Sequence, residues 1–215
     1  MKRAVFLVGF FLLLSAGLLQ AQDDKQNILF FGDSITAGNG VDNSEAFPAL
    51  IQQRIDSLGW NYNVINGGLS GETSAGGLRR IDWMLKQPID VFILELGGND
   101  GLRGIEVQST KKNLQEIIDK VEAKYPEARL ILAGMQVPPN LGIEYTKNFK
   151  QMYSELAKAN DLPLIPFILE GAAMNDELMQ GDDIHPNAKG HKVVAENVWK
   201  VLKPVLREMK SQTKS

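Results

Sequence analysis

Residues 27–40 read NILFFGDSITAGNG, and this stretch predicts the first strand of the fold and the turn that follows it. Residues 27–31 form a short apolar run, which is typical of a β-strand buried on both faces of a parallel sheet. The run stops at Gly32, and an aspartate and Ser34 follow before a loop rich in small residues. Ser34 is therefore predicted at the carboxyl end of a strand, where a serine either caps the next helix or is presented for reaction.

The rest of the chain alternates between strand and helix patterns. Apolar runs predict further strands at 61–66, 91–96, 129–134 and 162–167, and helical spacing predicts helices at 46–58, 77–86, 145–159 and 188–206, with a long amphipathic helix through Leu114, Ile117, Ile118 and Val121. No repeat or linker interrupts this alternation, so we predict one three-layer α/β/α domain with a five-stranded parallel sheet. Ligands bind such folds outside the carboxyl ends of the strands.

Composition excludes several classes of protein. The chain has 215 residues, of which 44% are hydrophobic and 23% charged, as expected for one domain with a sizeable core. Its net charge is −3 with a pI of about 5.5 and no basic block, so no nucleic-acid partner is predicted. It has no cysteine, which excludes disulfides and a lipid-anchored lipoprotein.

The N-terminus predicts export. Lys2 and Arg3 precede an almost wholly apolar stretch, which is typical of a secretory signal peptide, here residues 1–21 with cleavage after Ala21. An uncleaved membrane anchor is the alternative. The mature domain is then 22–215, with a core at about 27–205, a polar frayed tail at 209–215, and no stable membrane insertion. We expect it to be periplasmic or secreted.

The two histidines receive different predictions. His185 lies in GDDIHPN (181–187), where Pro186 disfavours a helix and a loop presents the imidazole. Asp182, three residues upstream, can contact Nδ1 through a turn and leave Nε2 free to accept a proton. A loop acid beside a surface histidine is the alternative. His191 falls inside the last helix, where a solvated or core-edge role is favoured.

The pair of Asp182 and His185 favours a nucleophilic role for Ser34, because a serine nucleophile needs a base and the base needs an orienting carboxylate. The chain has no G-x-S-x-G elbow, and GLSGE around Ser70 does not supply one. Donors for a developing oxyanion are available in the Asn99 amide, the Gly71 N–H and the Ser34 N–H. Turn formation is the alternative role for the glycines and for Asn99.

Four segments in this order resemble the sequence blocks of the SGNH (GDSL) hydrolases. They are FGDSITAG (31–38), NGGLSGETS (66–74), ELGGNDGLRG (95–104) and DDIHPN (182–187), with Ile35 where the family has leucine. The resemblance covers about 27–205 and is greatest to the bacterial exported acyl-CoA thioesterase/lysophospholipase/arylesterase group. It implies a flavodoxin-like SGNH fold.

The resemblance also implies roles for individual residues. Ser34 is the nucleophile, His185 the general base and then general acid, and Asp182 orients the imidazole. Ser34 N–H, Gly71 N–H and the Asn99 side chain form the oxyanion hole. The implied reaction is hydrolysis of a carboxylic ester or thioester through an acyl-serine intermediate, with no metal and no cofactor.

The substrate is predicted less sharply than the reaction. A small acyl ester or a lysophospholipid fits an exported enzyme, and no oligomeric state follows from the sequence. Apolar loop residues are assigned to an acyl pocket, with helix packing as the alternative: Leu102, Ile105, Val137, Leu141 and Ile143. One rival function is a carbohydrate O-acetyl esterase using the same site. Another is a flavodoxin-like flavin-binding module with SITAGNG as a phosphate loop, which leaves Asn99, Asp182 and His185 unexplained.

Overall fold

The structure is a computed structural model that describes residues 25–212. The predicted signal peptide at 1–21 lies outside the described residues, as do 22–24 and 213–215. Between residues 25 and 212, none of the helices combines the length and the apolar character that a membrane span requires.

One parallel sheet of five strands forms the centre of the fold. The strands are β1 (Gln26–Gly32), β2 (Tyr62–Gly68), β3 (Val91–Glu95), β4 (Arg129–Ala133) and β5 (Leu164–Ile165). Their order in the sheet is β2-β1-β3-β4-β5, and every neighbouring pair is parallel. The predicted α/β class with a five-stranded parallel sheet is confirmed.

Helices cover the sheet. They are α1 (Ser34–Ala37), α2 (Phe47–Ser57), α3 (Ser74–Met84), α4 (Gly98–Leu102), α5 (Val107–Lys124), α6 (Ile143–Ala159) and α7 (Ala188–Gln212), with a 3₁₀ turn at Pro139–Leu141. α2 contacts α7, whereas α3 contacts α5 and α5 contacts α6. Because right-handed crossovers that run in opposite directions from β1 place their helices on opposite faces, these two groups form the outer layers.

The core explains why β1 and β3 read as continuous apolar runs. Both strands lie inside the sheet, and the residues of β3 are buried without exception. Phe30 packs edge-to-face on Phe47 of α2, with ring centroids 5.2 Å apart, while Phe31 packs on Phe92. Neighbouring side chains of β1 therefore enter the cores on opposite faces, so neither face tolerates a polar alternation.

Two segments predicted as loops contain short helices. α1 begins directly after β1 because the Asp33 carboxylate caps it, accepting a hydrogen bond from the Ile35 N–H at 3.0 Å. α4 begins after Gly97, whose φ of +113° lets the chain turn sharply at the end of β3. Both helices are about one turn long, below the length at which sequence periodicity is visible.

The C-terminal prediction was wrong for 209–212. α7 continues to Gln212, and Met209 is buried against the core instead of belonging to a frayed tail. Arg129 of β4 also donates to Glu208, at 3.0 Å. The polar composition of this segment hides one apolar residue on the inner face of the helix, and that residue anchors the last turn.

The strand order reverses direction between β1 and β3. β2 lies on one side of β1, whereas β3 and the later strands lie on the other. The crossovers from this point leave toward opposite faces, and a crevice opens at the carboxyl ends of β1 and β3. Ser34 follows β1 and Asn99 follows β3, so the topology places both residues beside this crevice.

Candidate active site

Ser34 is the first residue of α1, at the end of β1. Its Oγ lies 2.9 Å from Nε2 of His185, 151 positions away in the sequence. The turn into α1 is tight: a Cβ on Gly32 would overlap the side chains of Thr36 and Glu95. Gly32 is therefore the residue that lets the strand end directly beneath Ser34.

His185 and Asp182 form a compact loop before α7. Nδ1 of His185 lies 2.6 Å from one carboxylate oxygen of Asp182. The other oxygen accepts the N–H groups of Ile184 and His185, both at 3.0 Å. The loop is closed by the Gln180 N–H, which donates to the His185 carbonyl at 2.8 Å. The carboxylate at Nδ1 selects the tautomer that leaves Nε2 as an acceptor for the Ser34 hydroxyl.

The Asp182 carboxylate is ionised at neutral pH. Its slight burial acts to raise the pKa, but the hydrogen bonds from the His185 side chain and from the backbone of His185 and Ile184 outweigh this and lower the pKa to about 2. A carboxylate that stays charged can hold the Nδ1 proton and stabilise an imidazolium.

Asp183 makes no hydrogen bond to the His185 ring within the described chain. Its φ of +59° lies in the left-handed region, so the chain reverses there instead of running extended. The two hydrogen bonds of the His185 ring go to Asp182 and Ser34. Asp183 instead lines a cavity beside Ser34 that is described below. Of the two adjacent acids, only Asp182 contacts the imidazole.

The three candidate oxyanion donors lie at the same edge of the sheet. Among residues 25–212, neither the Ser34 N–H nor the Gly71 N–H donates to another protein group. Gly71 has a φ of +78°, and Arg103 donates to its carbonyl at 3.2 Å. The Asn99 amide donates one N–H to an Asp33 oxygen at 3.3 Å and retains a second. Gly71 stands at the margin and does not line the cavity described below.

Two polar residues that the sequence did not identify, the partly buried Arg80 and the fully buried Asp100, hold these loops. Arg80 of α3 donates to the carbonyls of Gly32 (3.1 Å) and Gly67 (2.9 Å) and forms an ion pair with Glu72. It thereby ties the ends of β1 and β2 together. Asp100 of α4 accepts the Ser74 N–H at 2.8 Å, which fastens the Gly71 loop to the Asn99 segment. The position of Asp100 inside the GGND block was the available signal, whereas Arg80 offered none.

An apolar cavity of about 380 Å³ adjoins Ser34 and His185. Leu102 and Val137 line it, as predicted. Residues that the sequence did not identify also line it: Met135, Pro138, Pro139, Phe167, Leu169, Ala173, Met174, Met179 and Ile184. Those after residue 166 come from the irregular segment between β5 and α7, where no periodicity marks the inward-facing side chains.

The other three predicted pocket residues do not line this cavity. Ile143 is 83% exposed and Leu141 is 42% exposed, because the 3₁₀ turn and the start of α6 direct them to solvent. Ile105 lies behind the rim, where its carbonyl accepts the Tyr145 hydroxyl at 2.7 Å. The cavity beside Ser34 does not support the assignment of these three residues to an acyl pocket, which stays a prediction.

A second cavity, of about 640 Å³, lies at the opposite edge of the sheet. Its lining includes Gln26, Asp90 and Arg129, at the amino ends of their strands or just before them. It is larger than the cavity at Ser34, but it contains none of the residues with candidate catalytic chemistry. The smaller cavity is therefore the candidate site.

His191 is fully buried, so the expected solvated or core-edge position was wrong. Its Nδ1 accepts the Phe47 N–H at 3.3 Å, and the imidazole stacks on the Phe47 ring. Within the described chain its Nε2 has no hydrogen-bond partner. Burial, with a contribution from the charge of His185, lowers its pKa to about 4. It is a neutral core residue at physiological pH.

The structure also addresses the flavin hypothesis. The segment proposed as a phosphate loop forms α1, and its N-terminus is occupied by the Asp33 carboxylate. A carboxylate at this position repels a phosphate.

Across residues 25–212, no three histidine, aspartate or glutamate side chains are arranged to hold a metal ion.

Known proteins are similar to this chain over most of its length. Residues 30–193 match the GDSL-like Lipase/Acylhydrolase family. Esterase TesA of Pseudomonas aeruginosa is 40% identical over 95% of this chain and all of its own length. Thioesterase 1/protease 1/lysophospholipase L1 of Escherichia coli is 38% identical over 83% of this chain and 84% of its own.

Solved structures give the same result. A crystal structure of TesA matches with a TM-score of 0.79 and 41% identity, covering 83% of this chain and 99% of that one. Esterase EstA from Pseudoalteromonas matches with a TM-score of 0.80 and 33% identity, covering 85% of this chain and all of that one. By sequence and by structure, the chain belongs to the GDSL-like lipase/acylhydrolase family.

Proposed function

We propose that Ser34, His185 and Asp182 are the catalytic triad of this ester hydrolase. The observation that carries the proposal is the continuous line of contacts from Ser34 Oγ to His185 Nε2 (2.9 Å) and from Nδ1 to Asp182 (2.6 Å). These distances are within hydrogen-bond reach for both proton transfer and orientation of the base.

The chemistry follows from these positions. Ser34 Oγ attacks the ester or thioester carbonyl carbon while its proton passes to His185 Nε2. The carbonyl oxygen becomes an oxyanion that accepts hydrogen bonds from the Ser34 and Gly71 N–H groups and the Asn99 amide. The imidazolium then protonates the departing alcohol or thiol. Water then attacks the acyl-serine as His185 takes its proton. The bond to Ser34 Oγ breaks, His185 returns the proton to Oγ, and the carboxylic acid is released.

The cavity beside Ser34 supports an acyl chain as the group it accommodates. Its lining is mostly aliphatic, methionine and proline side chains, which bind methylene groups through the hydrophobic effect. Relatives of this chain are named as an esterase, a thioesterase and lysophospholipase, and an arylesterase. We infer acyl esters and thioesters with an apolar acyl group, lysophospholipids among them, in preference to acetylated carbohydrate, which would leave this lining unused.

Export remains part of the proposal. Lys2, Arg3 and the apolar residues that follow them support a secretory signal. An enzyme outside the cytoplasm would meet lysophospholipids and short acyl esters more readily than cytosolic acyl-CoA.

Turnover of a substrate panel tests the function. p-Nitrophenyl esters of rising acyl length, a lysophospholipid, an acyl thioester and an acetylated sugar are assayed with wild type and with Ser34→Ala. We expect hydrolysis of the acyl substrates by wild type, none by the variant, and unchanged rates after treatment with a chelator. A fluorophosphonate should label Ser34; labelling of Ser70 instead would overturn the triad. Preferred turnover of the acetylated sugar would favour the rival substrate class.

A further inference from the structure

Two carboxyl groups are buried together beneath Ser34. Asp33 is 2% exposed and Glu95, at the end of β3, is 1% exposed. In the part of the chain that the structure describes, no lysine, arginine or histidine forms an ion pair with either. Buried carboxyls without a basic partner are costly unless they are neutral or fully hydrogen-bonded, so this pair requires an explanation that the triad does not supply.

Each carboxyl of the pair accepts two hydrogen bonds from its neighbours. Glu95 accepts the Thr36 hydroxyl at 2.7 Å and the Asp33 N–H at 3.3 Å. The Asp33 side chain accepts the Ile35 N–H at 3.0 Å and the Asn99 amide at 3.3 Å. Asp33 thus receives hydrogen bonds from its neighbours, and the chain of contacts ends at the candidate oxyanion donor, Asn99.

The two carboxyls differ in how strongly burial and the neighbouring charge oppose ionisation. Two buried carboxylates beside one another repel, so one of them holds a proton and the other keeps the charge. Burial raises the pKa of Asp33 to about 6, against the lowering by Ile35, Asn99, His185 and Glu95. Burial and the Asp33 charge raise the pKa of Glu95 well above its ordinary range. Above pH 6, Asp33 is therefore the anion and Glu95 is the neutral acid beside it.

An ionised Asp33 fixes the orientation of the Asn99 amide. A carboxylate accepts N–H groups and repels a carbonyl oxygen, so Nδ2 must face Asp33. One of its N–H bonds is directed at Asp33, and the second is left for the oxyanion. With a neutral, amide-like group at position 33, Asn99 could flip and present its carbonyl oxygen to the oxyanion instead.

We propose that Asp33, kept ionised by a protonated Glu95, is a positioning residue that orients the Asn99 amide for the oxyanion and stabilises the His185 imidazolium. The inference rests on the proposed triad and extends it. The charged or titratable groups that face Asp33 are Glu95 from β3, His185 from the loop before α7, and Tyr153 from α6. Of these, only His185 gains charge during the reaction.

Two isosteric substitutions test the assignment of the proton. Asp33→Asn keeps Oδ1 as the acceptor for Ile35 and so retains the cap of α1, but it removes the charge. We expect kcat to fall by about 10–100-fold with KM within about threefold, because orientation of an oxyanion donor acts mainly in the transition state. The acid limb of kcat/KM should move down by about 0.5–1 pH unit, since His185 loses a stabilising anion.

Glu95→Gln is the matched variant. Its carbonyl can accept from Thr36 and from the Asp33 N–H, as the glutamate does, and its amide is uncharged like a protonated carboxyl. We expect a loss of less than about fivefold in kcat and an acid limb within about 0.3 pH unit of wild type, because this change preserves the neutral state. If Glu95→Gln were the crippled enzyme and Asp33→Asn the mild one, the charge would reside on Glu95 and the proposal would be overturned.

A double-mutant cycle separates orientation from general structural damage. In an Asn99→Ala background there is no amide to orient, so adding Asp33→Asn should lower kcat by less than about threefold. Additive losses would assign Asp33 a merely structural role. Fluorophosphonate labelling of Ser34 is measured in each variant. Absence of labelling in wild type would refute the triad itself, whereas an active wild type with an unchanged Asp33→Asn variant would refute only this inference.

Discussion

His185 and His191 lie six positions apart, on either side of the start of α7, yet their surroundings differ in every respect. His185 stands on a loop, with a carboxylate at Nδ1 and the Ser34 hydroxyl at Nε2. His191 is fully buried, accepts the Phe47 N–H, and has no partner at Nε2 among the described residues.

The difference shows what a histidine needs in order to transfer protons. A base must become charged during the reaction, so it requires a nearby carboxylate and contact with solvent or substrate. His185 has both: its side chain is 17% exposed and Asp182 adjoins it. His191 has neither, and burial lowers its pKa to about 4. Its charged form is excluded from the core, which leaves it a packing role.

The largest effect should come from replacing His185 with asparagine, and the same replacement of His191 is the matched control. His185→Asn should lower kcat by about 10⁴–10⁶, because the nucleophile loses its base. His191→Asn should keep kcat within about tenfold at neutral pH and low temperature, because the core does not use its protonation. Steady-state kinetics on folded protein, checked by circular dichroism, compare the two. An equal loss of kcat in a folded His191→Asn variant would mean that His191 also takes part in catalysis.

The partner at Nδ1 sharpens the comparison. Asp182→Asn should lower kcat by about 10³–10⁴, because the amide favours the wrong tautomer of His185. Asp183→Asn is the matched control and should stay within about tenfold, since its carboxylate acts on the ring only through a partly screened field. Kinetics on the two single variants decide. A crippled Asp183→Asn with a mild Asp182→Asn would mean that the orienting acid has been misassigned.

Asn99 has no titrating proton, so its replacement separates stabilisation of the oxyanion from base catalysis by His185. Asn99→Ala should lower kcat by about 10²–10³ with a smaller change in KM, because an oxyanion donor acts mainly in the transition state. The acid limb of its kcat profile should remain, since the base is intact. A rise in KM at constant kcat would instead identify Asn99 as a residue that binds the ground state.

The smallest effect concerns stability and His191. Its pKa is lowered from 6.5 to about 4 in the folded protein, so the unfolded chain binds more protons between these values. The contribution of the neutral form is complete above pH 6.5 and is lost as the pH falls toward 4, amounting to roughly 3 kcal/mol.

Denaturant unfolding at several pH values measures this term. Wild type should lose stability more steeply than His191→Asn between pH 6.5 and 4, since the variant has no imidazole to protonate there. The variant should also be less stable at pH 7, because asparagine leaves part of the buried volume unfilled. Parallel curves for the two proteins would mean that His191 is accessible to protons in the folded state.

Local pattern was sufficient where the signal lay within one element or one block. The apolar runs predicted five strands, because strands buried on both faces have no polar alternation to obscure them. The turn residues around His185 and the spacing to Asp182 were also local, and the structure brings the two into contact at 2.6 Å. The predicted strands at 27–31 and 91–96 end just before Ser34 and Asn99, which places both residues at one edge of the sheet because parallel strands align their carboxyl ends.

Tertiary structure decided everything that depends on distant chain segments sharing a volume. Three of the five predicted pocket residues do not line the cavity, because the direction of a side chain on an irregular loop is set by what packs behind it. The burial of His191 depends on Phe47, 144 positions away. The acid pair of Asp33 and Glu95 comes from neighbouring strands and is 62 positions apart. The sequence by itself determined which groups are present and in what order, whereas their ionisation depends on desolvation, and desolvation exists only after the chain has folded.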